Sequence, residues 1–523
     1  MLTFAVCLWS LAYQLPLDHT LHVGGQAALQ RREDDTPYLR GVNSSEPAER
    51  VDDPTAPRGY VWWWDEVERT GRPPYRWTTA DSAVALPGAG PGLYAVEIVA
   101  RSGRPDEPAP TVWTAGDAPP VALSLPTGEP RRYRLLATVG AGGELGLSFR
   151  TTPFAAPGDP RELGFVLHEV RLRAIGDGLR APAWPTLGWL TLAVGVSYGL
   201  ARALSVGRGG ALALAGGTAL AATYTLVAHR PALTVFAPTL GVLTVCCAAL
   251  GLAARPVVRR AAPTAVWRVE AGQVIALTLL AFALRLGGVL HPQALFSDLG
   301  FHANNLLRVT LGQVYLSAGL PDGGGQAPYP PGAYLMLLPA QLIADAADSR
   351  RLLVQSGIAL LDSLAVPLIW ALLRRGGFGA RAAALGAACY LLPTVALESF
   401  SVGEYANLGG QALALPLVAL VGLGLAGAGA PPLGTATLAA AVVVAILSHS
   451  GVTLSVGAFT ASLWALAWAA RLRGRPAPVD PVRLTFAAGA ALAAALLAYY
   501  SAPVYLELFA GREGGRSGVP LLT

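Results

Sequence analysis

Ten apolar runs follow Pro185, near 186–204, 209–228, 231–254, 270–290, 352–373, 379–397, 408–428, 432–449, 451–471 and 484–509. Most are close to the roughly 20 residues a helix needs to cross about 30 Å of hydrocarbon. Backbone groups in hydrocarbon must be satisfied within the segment, so runs of this kind fold as helices. A further apolar stretch, Met1 to about Leu15, lacks both a basic leader and a small-residue cleavage motif. It reads as a signal anchor in preference to a cleaved signal or a start-site artefact, which brings the expected count to eleven spans. Only 14% of the 523 residues are charged and 53% are hydrophobic, against roughly 25% charged in a soluble protein. There is no lysine, so the 38 basic residues are all arginine. In the hydrophobic part these arginines sit mainly at the ends of runs, so the net charge of +5 is no nucleic-acid footprint. Cys7, Cys246, Cys247 and Cys389 lie in apolar runs without CxxC or Cys/His spacing, which supports neither disulfides nor zinc.

Between about Asp18 and Arg173 the composition changes to Gly, Pro, Asp, Glu and Arg, with short alternating runs such as Leu93–Val99, Tyr133–Ala137 and Gly164–Leu172. Turn signals at Pro87-Gly88, Gly140–Gly143 and Pro157–Asp159 separate them. Strands of that length and spacing point to an all-β sandwich or jelly roll. The expected class is therefore a polytopic α-helical membrane protein of about eleven spans with an inserted all-β domain. Its expected parts are an anchor (1–17), an extracytoplasmic β-sandwich (18–178), accessory spans (184–256), a main membrane module (268–511) and a polar tail (512–523). The expected location is the cell membrane.

Segment 329–347 decides the sidedness. Arg255, Arg259, Arg260 and Arg268 form one basic loop, Arg374, Arg375 and Arg381 a second, Arg471, Arg473 and Arg475 a third. All three fall on the cytoplasmic side, as positive charge requires, only if 329–347 does not cross fully. It is then re-entrant or lies at the surface. The loops carrying Asp298, Glu404 and His449 share the opposite face, with the β-domain.

Those loops hold the chemistry. The first runs Phe296-Ser-Asp-Leu-Gly-Phe-His302, with Asn305 and Arg308 behind it. If Asp298 begins a helix, then Asp298, His302 and Asn305 share one face, while Leu299, Leu306 and Leu307 flank it as on a helix lying at a bilayer surface. The Gly-rich loop that follows ends in Tyr329-Pro-Pro-Gly332, where the prolines hold the backbone extended. The second cluster is Glu404, Tyr405, Asn407 and Gln411, and the third is Ser448-His449-Ser450. A titratable group at a membrane boundary is a site candidate. Each also has a plainer reading: Asp298 or Glu404 as a helix cap, His449 as a turn residue, Gly409-Gly410 as close helix packing.

These motifs resemble membrane-embedded glycosyltransferases of the GT-C superfamily, in the bacterial branch related to protein and lipid mannosyltransferases. The resemblance rests on Ser297-Asp298-Leu-Gly-Phe-His302 after an apolar run, Pro328-Tyr-Pro-Pro-Gly332 before the next, and the helix end Leu372-Leu-Arg-Arg375, and it covers roughly 270–510. It implies transfer of a hexose from a polyprenyl-phosphate donor to a hydroxyl acceptor on a glycan, lipid or protein, at the extracytoplasmic face. Asp298 would act as general base in an inverting displacement. Arg308 would support the leaving phosphate, with His302 and His449 as alternatives, and Asn305, Tyr329, Glu404, Asn407 and Gln411 would hold the donor. Asp298 has no acidic neighbour in the motif, unlike many members, so neither a metal nor another cofactor is expected.

Trp62-Trp63-Trp64 and Tyr75-Arg-Trp77 offer rings for sugar stacking, or core and membrane-interface packing. A competing class is a transporter or flippase for lipid-linked glycans, or a non-catalytic membrane subunit. Transporters place polar groups at mid-membrane, whereas here they gather at one face.

Overall fold

The computed structural model describes residues 1–24, 35–46, 75–176, 179–261, 264–294, 298–319, 326–341, 343, 346–425, 432–477 and 479–500. The chain forms two compact units, Met1–Ala253 with Leu290–Leu295 and Ala254–Val289 with Phe296–Thr523.

The first unit begins with α1 (Leu2–Ala12). Nine strands follow: β1 (Asp18–His22), β2 (Leu39–Glu46), β3 (Tyr75–Leu86), β4 (Gly92–Arg101), β5 (Ala109–Ala115), β6 (Val121–Leu125), β7 (Arg131–Val139), β8 (Leu145–Thr151) and β9 (Val166–Ile175). Alternation makes them strands: in β8, Leu145, Leu147, Phe149 and Thr151 are buried and the residues between them exposed. The all-β region is a single hydrogen-bonded antiparallel sheet of order β6-β5-β8-β3-β9-β4-β7, with β1 on β9 and β2 on β3. β3 makes it continuous, pairing with β8 through Asp81–Leu86 and with β9 through Arg76 and Trp77. The sheet curls around one core, in which Phe149 lies 5.4 Å from Trp113 and 5.6 Å from Phe165.

Arg76 and Asp35 form a buried bidentate ion pair, with both bonds at 2.7 Å, and the Gly24 amide donates to the same carboxylate at 2.6 Å. Trp77 packs edge-on against Tyr75 and Phe154. A Cβ on Gly103 would stand 1.8 Å from its indole, so this ring is packing and not an open platform. The Trp62–Trp64 cluster lies outside the described residues.

Among the described residues the unit continues with three helices, α2 (Trp184–Ala203), α3 (Arg208–Ala228) and α4 (Arg230–Ala261), the last running into the second unit from Ala254. α1 packs on them through Ala5, Trp9 and Ala12, and the Trp9 indole donates to the Ala219 carbonyl at 3.2 Å. The buried Arg230 donates to the Ala12 and Leu15 carbonyls at 2.9 and 3.3 Å and to Leu226 at 3.3 Å. It thereby meets the carbonyl ends of α1 and α3, where a cation is favoured.

The second unit contains α5 (Ala265–Leu290), α6 (Leu299–Thr310), a hairpin of β10 (Ser317–Gly319) and β11 (Gln326–Pro328), α7 (Gly332–Gln341), α8 (Ala347–Ser363), α9 (Ala365–Arg375), α10 (Ala380–Ala388), α11 (Thr394–Val402), α12 (Tyr405–Gly422), α13 (Pro432–Ile446), α14 (Ser450–Leu472) and α15 (Pro481–Ala498).

Among the described residues, seven helical stretches are long and apolar enough to cross a membrane: 208–228, 230–260, 265–290, 347–375, 405–422, 450–472 and 481–498. The chain is thus rich in membrane-compatible helices and carries an antiparallel β unit. The other expected runs take different forms. α1 has 11 residues and α13 has 15, each short of the roughly 20 needed. The run at 379–397 divides into α10, a 3-10 turn at Cys389–Leu391 and the start of α11. α2 has 20 residues but falls outside the set on composition. In segment 329–347, α7 has 10 residues, about 15 Å of helix and half a hydrocarbon core.

Candidate functional site

Asp298 is the N-cap residue of α6, and its carbonyl accepts from the His302 amide at 3.0 Å. Asp298 is exposed, whereas His302 and Asn305 are each only 1% accessible. The polar stripe of α6 therefore faces into the protein, and Leu299, Ala303, Leu306 and Val309 are buried with it. Of the leucine flank expected at the bilayer surface, Leu299 and Leu306 are instead buried in protein and Leu307 is half-buried. The stripe turns inward because α7 and the turn at Gly403 supply polar partners.

Tyr334 of α7 is the main one. Its hydroxyl lies 2.7 Å from His302 Nδ1 and accepts from Asn305 Nδ2 at 3.5 Å. The His302 ring also donates to the Gly403 carbonyl. Burial pulls its pKa down to about 4, the Gly403 bond opposing and the nearby His449 assisting. His302 is thus a neutral, fully engaged imidazole.

Four separated segments meet above this layer. The Tyr329 ring packs against Phe301 at 5.3 Å, His449 at 5.6 Å and His302 at 6.4 Å. Burial raises the Tyr329 hydroxyl pKa, and the negative charges of Asp298 and Glu404 raise it further. Both carboxylates therefore lie within electrostatic reach of one phenol. His449 caps α14 by accepting from the Gly451 amide at 3.2 Å, and burial lowers its pKa against the opposing pull of Glu404.

Glycines permit this approach. Gly403 has φ +95°, a left-handed conformation that L side chains avoid, and its missing Cβ would stand 3.2 Å from the Asp298 amide nitrogen. The Gly332 amide donates to the Leu447 carbonyl at 3.0 Å, tying Tyr-Pro-Pro-Gly to the turn before His449. A Cβ on Gly332 would come within 2.6 Å of that oxygen. Gly410 lies against Ser448 and His449, and Gly409 against Ile358 and Ala333, so this pair serves close helix packing.

Two further candidates form a ladder on α12. Asn407 donates to the Glu404 carboxylate at 3.3 Å and Gln411 to Asn407 at 3.4 Å. Arg308 stands apart. It sits ten residues along α6 from Asp298, about 15 Å, and donates to Gln313 at 3.1 Å. The structure therefore gathers Asp298, Tyr329, Glu404 and His449 over His302 and Asn305, with Asn407 and Gln411 leading away and Arg308 remote.

Sequence reasoning missed a second constellation. Arg285 of α5 and Asp362 of α8 form a fully buried ion pair. The Tyr390 hydroxyl donates to Asp362 at 2.7 Å, and Arg285 donates to the Tyr390 carbonyl at 3.3 Å while lying 4.9 Å from the Tyr390 ring. Asp362 and Tyr390 line a cavity of about 270 Å³ together with Gln411, Leu368, Leu372 and Leu415. Nearby, α8 and α9 meet at Leu364, which keeps right-handed helical dihedrals, so 347–375 runs on as one stretch. A second pair, Glu270 with Arg374 at 3.3 Å, also joins α5 to α9. The signal was present, since an arginine and an aspartate inside apolar runs are uncommon enough to mark a site or its support. Among the described residues, no group of three His, Cys, Asp or Glu side chains is placed to hold a metal ion.

No family model matches this chain, and no curated protein does. A solved structure of a family GH115 4-O-methyl-α-glucuronidase with specificity for decorated arabinogalactans aligns with 20% of this chain at 11% identity and a TM-score of 0.16. The alignment spans 14% of that enzyme, and a likeness this small carries no argument about fold or function.

Proposed function

We propose that the second unit is the catalytic module of a membrane glycosyltransferase. In this reading it moves a hexose from a polyprenyl-phosphate donor to a hydroxyl acceptor at the non-cytoplasmic face. The observation that carries it is the convergence of Asp298, Tyr329, Glu404 and His449, from four separate segments, on one rim. Asp298 is the exposed carboxylate at the start of a helix and acts as general base on the acceptor hydroxyl as it attacks the anomeric carbon. One displacement inverts the configuration. Tyr329 presents an aromatic face to the sugar, and Glu404, Asn407 and Gln411 offer a ladder of hydrogen-bonding groups. His302 is neutral and buried, so it positions the Gly403 turn and Tyr334 and takes no proton from substrate. Arg308 is too far along α6 to support a phosphate leaving beside Asp298.

One observation favours a second reading, transport of a lipid-linked glycan. The Arg285–Asp362 pair borders a cavity within an apolar helical stretch, where transporters place polar binding groups.

Sugar transfer from labelled polyprenyl-phosphate donors, measured in membranes for wild type and Asp298→Asn, separates these readings. Transfer by wild type that is abolished in Asp298→Asn at equal expression supports the transferase with Asp298 as base. Transfer that survives the substitution removes Asp298 from that role. No transfer by either protein over a panel of donors and acceptors, together with donor translocation lost in Asp362→Asn, favours transport.

A further inference from the structure

The outer face of the β-sheet changes character along its length. At one end, the sheet stands directly on the helix ends of its own unit. A Cβ on Gly90, in the turn after β3, would lie 3.2 Å from the Ala181 carbonyl, and one on Gly143 would lie 3.5 Å from Ala183 Cβ. One on Gly88 would overlap the Thr234 side chain of α4. Arg230 gathers the ends of α1 and α3 at the same level. Trp184 at the start of α2 and Tyr224 in the last turns of α3 are both exposed there, the placement of an interfacial aromatic belt.

Immediately above this level the sheet exposes three large aliphatic side chains. Leu93 is 42% accessible, Leu136 62% and Ile175 40%. They form a patch by register: Leu93 pairs with Ile175, and Leu136 with Ala95 two residues along β4. With about 3.3 Å per residue, the patch lies within about 10 Å of the Gly92 turn. Arg173, also exposed, shares the row of Ala95 and Leu136. In the next row Arg134 pairs with Glu97 at 2.9 Å, and Arg171 reaches back at 2.7 Å to Asp18, which stands in the row of Arg173. Leu93 and Ile175 beside the helix ends, a row in which Arg173 and Asp18 stand level with Leu136, and paired charges beyond follow the polarity gradient of a headgroup layer, about 5–8 Å thick on each side.

We propose that Leu93, Leu136 and Ile175, with Arg173 level with Leu136 and one row above the other two, seat this edge of the sheet in the headgroup layer of an anionic bilayer crossed by α3 and α4. The aliphatic groups enter the interface and Arg173 meets lipid phosphate. A lipid surface fits better than a protein partner because the patch continues the exposed apolar surface of the adjoining helices and carries its cation in the row farther from the helix ends. The inference rests on those helices crossing the membrane and is independent of glycosyl transfer.

The test uses the full chain without its four cysteines, carrying a single cysteine at Leu136, Ile175 or, as a control farther along the same face, Arg132. Each is labelled with an environment-sensitive fluorophore and placed in nanodiscs containing anionic lipid and a headgroup-attached nitroxide lipid. Labels at 136 and 175 should be quenched by the nitroxide lipid and shielded from a water-soluble quencher, with the reverse at 132. Arg173→Glu should reduce the quenching at 136 in anionic discs and leave it unchanged in zwitterionic ones. Labels at 136 and 175 that behave like the one at 132 overturn the proposal. So does shielding from both quenchers, which points to a protein partner.

Discussion

The hydroxyl of Tyr334 lies 2.7 Å from Nδ1 of His302, deep beneath the rim on which Asp298 and Glu404 are displayed. The contact joins α7 to α6, and through the His302 bond to the Gly403 carbonyl it reaches the turn that presents Glu404. Removing the hydroxyl leaves buried polar groups on His302 and Asn305 without their partner. Tyr334→Phe is expected to cost about 1–3 kcal/mol, read as a lower Tm in detergent, with activity reduced in proportion to the loss of the ordered Gly403 turn. An unchanged Tm would remove the hydroxyl from any supporting role.

The same histidine makes stability depend on pH. Its pKa is about 4 when folded and about 6.5 when unfolded. The unfolded chain therefore takes up a proton at a higher pH than the folded chain. The contribution from neutral His302 is complete above about pH 6.5 and is lost as pH falls toward 4. The size is on the order of 3 kcal/mol. Thermal unfolding across that range should show a slope in wild type that is diminished in His302→Gln.

Breaking the Arg285–Asp362 pair from one side leaves an uncompensated charge among apolar helices. Asp362→Leu alone is expected to destabilise by ~3–5 kcal/mol. The double variant Arg285→Leu with Asp362→Leu should recover most of this, because a buried pair replaced by apolar groups of similar volume is often neutral. Full recovery of stability without recovery of activity would mark the pair as functional, not merely structural.

In the β unit, Asp35 holds Arg76 in two bonds and also accepts from the Gly24 amide. Asp35→Ala strands the buried guanidinium and is expected to cost ~3–5 kcal/mol. Limited proteolysis should then cut first within the sheet and spare the second unit.

Gly332→Ala tests the close approach beside His449. The added methyl would stand 2.6 Å from the Leu447 carbonyl oxygen, and the backbone must shift to admit it, at about 1–3 kcal/mol. Substitution of Gly300, whose Cβ position is open, serves as the control and should be near neutral in packing.

Much of the architecture was legible locally. Alternation in Leu93–Val99 marked a strand that lies within β4, and apolar length placed the long apolar helices between Arg208 and Leu290. Where length alone was the signal, the result was less regular: the run at 379–397 folds into three short pieces. Hydropathy measures how apolar a stretch is, not whether its backbone continues in one helix.

The candidate site divides in the same way. The spacing of Asp298, His302 and Asn305 placed them on one helix, because a 3.6-residue period is a property of the chain itself. That spacing could not say which side of the helix is buried. The tertiary structure decided it by bringing Tyr334 and Gly403 against the stripe, and it set Glu404 and His449 beside Asp298 while leaving Arg308 about 15 Å along the helix. It also joined Arg285 to Asp362 across α5 and α8. The sequence by itself determined the elements and their polarity, since these follow from neighbouring residues. Which polar groups meet depends on how distant helices pack, and only the folded chain records that.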